Sequence, residues 1–387
     1  MTTVPVPGEP PSTLMSDEAY GALRAAAALW VGTSVLITNS YGKVLIQHVD
    51  YRDTCLLPGG AVDQGESPAH AAERELMEEL GAAALVDRGL AVDWVSTGAV
   101  DAPASMRFPG EILHVFDGGT WDDGRIAEIR LPPSEITGIE FVEPARLPGL
   151  LSPADARRAL SALRARINAA GTVLLENGRP IAPGVLDRLD VLRTARPEYP
   201  YPWHRGPAPR ELTVTQVWAW LFAPDGRVLI LLDPETGSAL LPGGKPEEQD
   251  QGNPLSTLHR EADEEAAARF GSPLLLGHVT DPAGRRAYLR YAAALTGVGP
   301  ARSDPATGLT YTRILAAPEQ AAELFDWGPS VADHLAAVHR ARRRLGIPRA
   351  ALQPVTELTG GITDLVLSDA AHDPGGAGGS RHPSHAP

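Results

Sequence analysis

The 387-residue sequence holds a single cysteine, Cys55, which cannot build an internal disulfide framework. Cys55 sits inside an apolar run, so a buried, reduced structural thiol is expected, and with it residence in the cytoplasm. No stretch reaches the roughly 20 uninterrupted apolar residues that a membrane span requires, so no membrane partner is expected. The Pro- and Thr-rich start, Met1 to Pro11, lacks the basic-then-apolar order of a secretion signal. Positive charge is scarce: 34 Lys and Arg stand against 48 Asp and Glu, a formal net charge of −14. That balance argues against a nucleic-acid polymer, whose phosphates are many and contiguous. It is compatible with a small phosphate ligand, because divalent cations bridge carboxylates to a diphosphate.

The length exceeds the usual size of one hydrophobic core, which makes two domains the default. A repeat of long period agrees. Lys43-Val44-Leu45-Ile46 is echoed by Arg227-Val228-Leu229-Ile230, and Leu56-Leu57-Pro58-Gly59-Gly60 by Leu240-Leu241-Pro242-Gly243-Gly244, each 184 positions later (228 − 44). Arg74-Glu75 returns as Arg260-Glu261 at an offset of 186 (260 − 74), so two residues are inserted in between. This is a duplicated domain, too large for a solenoid unit. Each copy opens with a pair of apolar runs joined by turn residues, Val31–Thr38 with Val44–Val49 and Val214–Phe222 with Val228–Leu232, which predicts hairpins. Later strands are expected at Glu111–Phe116, Gly138–Val142, Gly277–Thr280, Arg286–Ala293 and Tyr311–Leu315, and closing helices at Ala154–Ala169 and Val331–Leu345. The mixture points to α/β layers. The Pro-rich run Arg196 to Trp203 reads as a linker able to pack on a domain surface, and Asp373 to Pro387 as a solvated tail whose histidines have no assigned role.

The run Gly60 to Ala82 carries the chemistry. Ser67 is a good N-cap, Pro68 suits the first helical position, and Gly81 suits a left-handed cap, so a helix is predicted over Pro68–Leu80. Ala69, Ala72, Leu76 and Leu80 form its apolar stripe, while Glu75, Glu78 and Glu79 share another face, with Glu79 nearest the stripe and Glu78 farthest from it. Three crowded carboxylates repel one another, and an oxygen-seeking dication, Mg²⁺ or Mn²⁺, relieves that repulsion. The Gly59-Gly60 turn lets a backbone carbonyl approach as a neutral ligand.

Gly60-x5-Glu66-x7-Arg74-Glu75-Leu76-x-Glu78-Glu79-x-Gly81-Ala82 resembles the Nudix box at each of its polar and glycine positions; Ala82 stands where a larger aliphatic residue is usual. The resemblance covers about 29–142. It implies an α/β/α sandwich with a mixed sheet, and hydrolysis of a diphosphate linkage in a nucleoside diphosphate derivative or a nucleoside triphosphate. It further implies Glu75, Glu78 and Glu79 as metal ligands beside Gly60, one of them or a nearby carboxylate orienting the attacking water, Arg74 holding the glutamates in position, and Glu66 bracing the loop or assisting catalysis. A further carboxylate from outside the box is expected, with Glu111, Asp117, Glu128 and Glu135 as candidates. The expected organisation is a leader over 1–20, a first Nudix-type domain over 21–175, a linker region over 176–212, a second domain over 213–348 and a tail over 349–387.

The second copy is altered. Asp250 stands where the box takes Glu, two residues are inserted before Arg260, and Ala267 replaces the glycine, so its helix is expected to run about a turn longer, toward Gly271. The trio Glu261, Glu264 and Glu265 keeps its spacing behind Arg260. A second active site, a ligand-binding site without turnover and a structural remnant all remain open. Trp218 and Trp220 share one face of the preceding strand, for base stacking or for packing. A nucleotide-sensing regulator is the alternative to a hydrolase, although the short cluster Arg340 to Arg344 is the only basic run available for a DNA-binding role. A prenyl diphosphate isomerase would want a reactive cysteine and glutamate, a role Cys55 does not suit. The partner is a small nucleotide-derived substrate, and homo-oligomers stay open.

Overall fold

The computed structural model describes residues 29–98, 108–132, 136–194, 201–325 and 327–361. The expected leader, Glu135, the first part of the Pro-rich run and the Gly/Pro tail from Asp373 lie outside the described residues. No helix among the described residues is long and apolar enough to cross a membrane.

The first half holds strands β1 (Trp30–Asn39), β2 (Val44–Val49), β3 (Gly89–Val95), β4 (Glu111–Trp121), β5 (Ile136–Val142), β6 (Val173–Glu176) and β7 (Arg179–Pro180), in the sheet order β5-β2-β1-β4-β3-β6-β7. β1 and β4 run parallel, from Trp30 opposite Glu111 to Asn39 opposite Trp121; β2 pairs antiparallel with both β1 and β5. In the β1–β2 turn the Asn39 side chain accepts from the backbone N–H groups of Tyr41 and Lys43 at 2.9 and 3.0 Å. Alternation along β1 sends Val35 and Ile37 to one face, where they meet Ala72, Leu76 and Leu80 of helix α1 (Pro68–Leu80) and Trp121. Leu36, Val44 and Ile46 point to the other face, toward helix α2 (Pro153–Asn168). The buried stripe of α1 includes Ala71 where Ala69 was expected.

The second half repeats this plan. Its strands are β8 (Trp203–Arg205), β9 (Thr213–Phe222), β10 (Val228–Leu232), β11 (Ala239–Leu240), β12 (Gly243–Gly244), β13 (Ala268–Phe270), β14 (Leu274–Thr280), β15 (Arg286–Val298), β16 (Thr312–Ala316) and β17 (Thr356–Glu357). The main order is β17-β16-β10-β9-β15-β14-β8, so β16-β10-β9-β15-β14 matches β5-β2-β1-β4-β3, including a parallel β9–β15 pair. Helix α3 (Pro254–Ala266) covers one face through Leu258, Ala262 and Ala266; helices α4 (Pro318–Phe325) and α5 (Val331–Arg344) cover the other. Both sheets are mixed, as the α/β reading requires. The described end of the Pro-rich run is the edge strand β8, and its Trp203 ring lies 4.1 Å from that of His334.

The halves share one core. Leu163 and Ile167 of α2 belong to the same buried cluster as Leu324, Phe325 and Trp327. Gln320 donates to the Ile167 carbonyl at 3.0 Å, and the Asn168 side chain accepts from the Val355 N–H at 2.8 Å. Trp220 sits in this core, edge-on to Phe325 and Trp327, and the Arg290 guanidinium lies over Trp218 at 4.2 Å, so both rings pack within the protein. Cys55 is buried and free, 3.4 Å from His48 Nδ1.

Candidate active site

Helix α1 starts where the Ser67 side chain accepts from the His70 N–H, and it stops at Gly81, whose φ of 62° is left-handed. A Cβ at Gly81 would stand 2.9 Å from the Arg130 carbonyl oxygen, so the position requires glycine twice over. The C-terminal half of the helix, through Glu75 and Glu79, lies against the Gly59-Gly60 turn. There the Gly60 carbonyl accepts from Thr33 N at 2.8 Å and from Thr33 Oγ1 at a longer 3.4 Å, which anchors the turn to β1.

Arg74 is the hub of the loop. Its Nε and Nη2 donate to Glu66 at 3.1 and 3.0 Å, Nη2 also to the Ala61 carbonyl at 2.9 Å, and Nη1 to Glu75 and Glu78 at 2.9 and 3.0 Å. This places the arginine, the bracing Glu66 and two of the three helix glutamates in a single network. The Arg74 hydrogen bond holds the Glu66 carboxyl below the usual range. Burial pushes Glu75 up, against the pull of Arg74. Glu78 is the exposed member of the trio, as its position opposite the stripe predicts, and Glu79 turns inward. Glu79 Oε2 accepts from Gly59 N at 2.9 Å and from Gln47 Nε2 at 3.0 Å.

Of the three described candidate carboxylates outside the box, Glu111, Asp117 and Glu128, the fold brings Glu111 to the site. Glu111 Oε1 lies over Gly32, where a Cβ would stand only 2.3 Å away, and the same point is 3.6 Å from the Gly60 carbonyl oxygen. Asp117 is taken by Arg88 at 3.2 Å and Arg166 at 3.6 Å, and Glu128 caps a short helix. Gly32 and Gln47 were not singled out from sequence. The signal was present in both, a glycine and an amide inside otherwise apolar strands.

Among the described residues no group of three or more His, Cys, Asp or Glu is already drawn into a metal cage; Glu75 and Glu78 lean on Arg74 instead. The donor set nonetheless fits a hard cation. A Cβ on Gly60 would fall 2.4 Å from Glu75 Oε1, so only glycine leaves the carboxylate and the carbonyl free to converge.

The second box reproduces the hub with different parts. Asp250, almost fully buried, accepts from Arg260 Nε and Nη2 at 3.2 and 3.0 Å, from Thr257 Oγ1 at 2.9 Å and from Glu247 N at 2.8 Å. These bonds, led by those from Arg260, hold its carboxyl down to about 2. The inserted residues form a tight turn that brings the shorter Asp to the place Glu66 occupies in the first half. Arg260 also bonds Glu264 at 2.9 Å and the Lys245 carbonyl at 3.0 Å, and pairs with Glu261 at 3.1 Å. Helix α3 is no longer than α1: it ends at Ala266, and Ala267 takes the left-handed cap at φ 51° without being glycine. The longer helix expected from the missing glycine does not form, because residues 268–270 leave as β13.

Three differences separate the two sites. Leu231 replaces Gln47, so Glu265 keeps only the Gly243 N–H at 3.0 Å, and burial pushes its carboxyl up to about 8. Trp30 faces Glu111 in the first sheet, and the matching Val214 faces Ala287 in the second, so the outside carboxylate is lost. Lys245 and Arg286, with Tyr288 and Gln216, line a cleft of about 410 Å³ beside the second box. A buried carboxylate, Asp304, contributes to the field at Glu261 and Glu265 from the loop after β15, which sequence gave no means of placing.

The model of the NUDIX domain family matches residues 28–163. A Bacillus subtilis (strain 168) protein named "Putative 8-oxo-dGTP diphosphatase" is 32% identical over 124 residues, 32% of this chain and 72% of that protein. Among solved structures, the Escherichia coli ORF135 protein is similar at 26% identity and a TM-score of 0.28, over 36% of this chain and 92% of that one. An ADP-ribose pyrophosphatase from Streptococcus suis 89-1591 is similar at 19% identity and a TM-score of 0.29, over 38% and 98%. On this sequence likeness, the chain belongs to the Nudix family and is a pyrophosphohydrolase.

Proposed function

We propose that the first box hydrolyses a diphosphate linkage in a nucleoside triphosphate or a nucleoside diphosphate derivative, with Mg²⁺ or Mn²⁺ as the resident cation. The observation that carries this reading is the convergence of Glu75, Glu79, the Gly60 carbonyl and Glu111 beneath the Arg74 hub. Glu75, Glu78, Glu79 and Gly60 are the oxygen donors for the cation. When bound, the cation supplies charge neutralisation on the diphosphate and acidifies water. Arg74 holds the glutamates in register and Glu66 stiffens the loop behind it. Glu111, approaching from the sheet, orients the attacking water. The name of the Bacillus relative makes modified and ordinary deoxynucleoside triphosphates the first substrates to assay.

The second half is, in our reading, a Nudix-type unit that binds a nucleotide without turning it over. Its raised Glu265, its loss of a Glu111 counterpart and the cationic Lys245–Arg286 cleft favour direct phosphate binding over catalysis. Cytoplasmic residence fits the single buried thiol.

A screen of nucleoside di- and triphosphate derivatives with Mg²⁺ or Mn²⁺ tests both statements. Turnover should vanish in the double variant Glu78→Gln/Glu79→Gln and persist in Glu264→Gln/Glu265→Gln. Unchanged turnover in the first double variant refutes catalysis at that box; loss in the second refutes the binding-only reading.

A further inference from the structure

Three positions that meet at the first box are altered together in the second half. In the first half Gly32 bridges Ala61, and the Glu111 carboxylate reaches over Gly32 because no side chain stands there. Counted by the repeat, Gln216 takes the place of Gly32 and Lys245 that of Ala61 (216 − 32 and 245 − 61, both 184). Glu111 lies five residues before Phe116, which pairs with Val35; Arg286 lies five before Tyr291, which pairs with the matching Ala219 (116 − 111 and 291 − 286). Arg286 therefore holds the strand position of Glu111, and a bulge at Thr215 moves β9 by one residue against it. A carboxylate beside two small residues has become a guanidinium, an ammonium and an amide.

All three side chains line the cleft of about 410 Å³, together with Tyr288, and among the described residues no carboxylate lines it. Lys245 and Arg286 are exposed, and neither cationic group has a hydrogen-bond or ion-pair partner among the described residues. Asp281, in the turn before Arg286, is committed to the backbone N–H groups of Arg285 and Arg286 at 2.7 and 2.9 Å. Two free cations select an anion of about two charges, which near neutral pH is a phosphate monoester. A longer phosphate chain reaching from Lys245 toward the helix would meet Glu261, which packs against Gly244, and without a cation the two repel. Tyr288, held by an edge-to-face contact with Tyr201 at 5.6 Å, supplies an aromatic wall on which any base can lie.

We propose that this cleft takes a nucleoside monophosphate, its phosphate on Lys245 and Arg286 with no cation between them, and its base against Tyr288. The inference rests on the reading of the second half as a unit that binds without turnover. It makes the ligand of the second half a product of the first, since breaking the linkage next to an α-phosphate leaves a nucleoside monophosphate.

Isothermal titration of the full chain in EDTA tests this, with AMP, GMP, ATP, adenosine and inorganic phosphate as probes. AMP and GMP should each bind one per chain, and ATP about tenfold more weakly or worse. Adenosine, which lacks the anion, should not bind, and inorganic phosphate, which lacks the base, should bind about tenfold more weakly than AMP. Arg286→Glu, which restores the charge found at Glu111, should abolish AMP binding, and Lys245→Ala should weaken it about tenfold. Glu78→Gln/Glu79→Gln should leave AMP binding unchanged. Melting curves identify any variant that fails to fold. The proposal is overturned if neither monophosphate binds, if ATP, adenosine or inorganic phosphate binds as tightly, if binding survives Arg286→Glu in folded protein, or if it is lost with the first-box variant. Turnover is measured separately: its loss in Glu264→Gln/Glu265→Gln overturns the binding-only reading, whatever AMP does in EDTA.

Discussion

Acidification below about pH 6.5 should destabilise this protein through one buried residue, His334. The His334 ring is 3% exposed, packed 4.1 Å from the Trp203 ring and 4.8 Å from the Trp327 ring, and both of its nitrogens lack hydrogen-bond partners. Burial, with the nearby Arg290 charge added, pushes its pKa from 6.5 down to about 3. A folded-state pKa below the unfolded value means that the unfolded chain takes up the proton first. The stabilisation is therefore complete above pH 6.5 and is lost as pH falls toward 3. With one proton at stake the slope approaches about 1.4 kcal/mol per pH unit, so about 2 kcal/mol should be gone at pH 5. His334→Phe keeps an aromatic ring of similar size and removes the titration. Urea unfolding of both proteins at pH 7.5, 6.5, 5.8 and 5.0 gives the comparison. The gap in unfolding free energy should widen by about 2 kcal/mol between the extremes in favour of the variant. Other histidines contribute equally to both proteins and cancel. A gap that stays constant across that range would refute the argument, because it would mean that His334 accepts a proton in the folded state.

Glu111→Gln should lower kcat by about 100-fold with little change in KM, because the group acts on water and leaves substrate binding alone; steady-state kinetics on the best substrate from the screen would show it. Gly60→Ala, whose methyl would press on Glu75, should remove activity while the melting temperature falls only modestly. Gly81→Ala should destabilise the protein by about 1–3 kcal/mol, from left-handed strain plus displacement of the Arg130 backbone. At Ala267, already left-handed, the reverse change to glycine should alter stability by less than about 1 kcal/mol, and denaturation curves of the two variants test the contrast.

What could be read from sequence was whatever is encoded locally. Ser67, Pro68 and Gly81 frame α1 so tightly that its limits follow from the chain alone. Strand β3 escaped notice because alternation fails at Asp93, a carboxylate that is fully buried and satisfied by Arg158 Nε at 2.7 Å and the Gly178 N–H at 3.0 Å. Those partners lie far along the chain, and no local pattern announces them. Helix α4 was hidden for a related reason: Gln320 and Glu323 give it a polar appearance, but Gln320 is consumed in contacts with α2 and the segment after α5. At the second box the spacing suggested a disturbed loop, because the replacement of Glu66 by Asp250 and the two-residue insertion look like separate defects. In three dimensions they compensate each other. Glu111 could be named as one of four candidates, but choosing it required the parallel register of β1 and β4.

The core that runs from Leu163 and Ile167 to Phe325 and Trp327 bears on how this chain could be taken apart. A duplicated domain invites excision, with each copy expressed alone. Here a cut near position 200 would leave α2 bare on one fragment and the apolar faces of α4 and Trp220 bare on the other. Each fragment would seek a substitute for the lost half, and self-association is the nearest one. The intact chain, by the same reasoning, melts in a single cooperative transition.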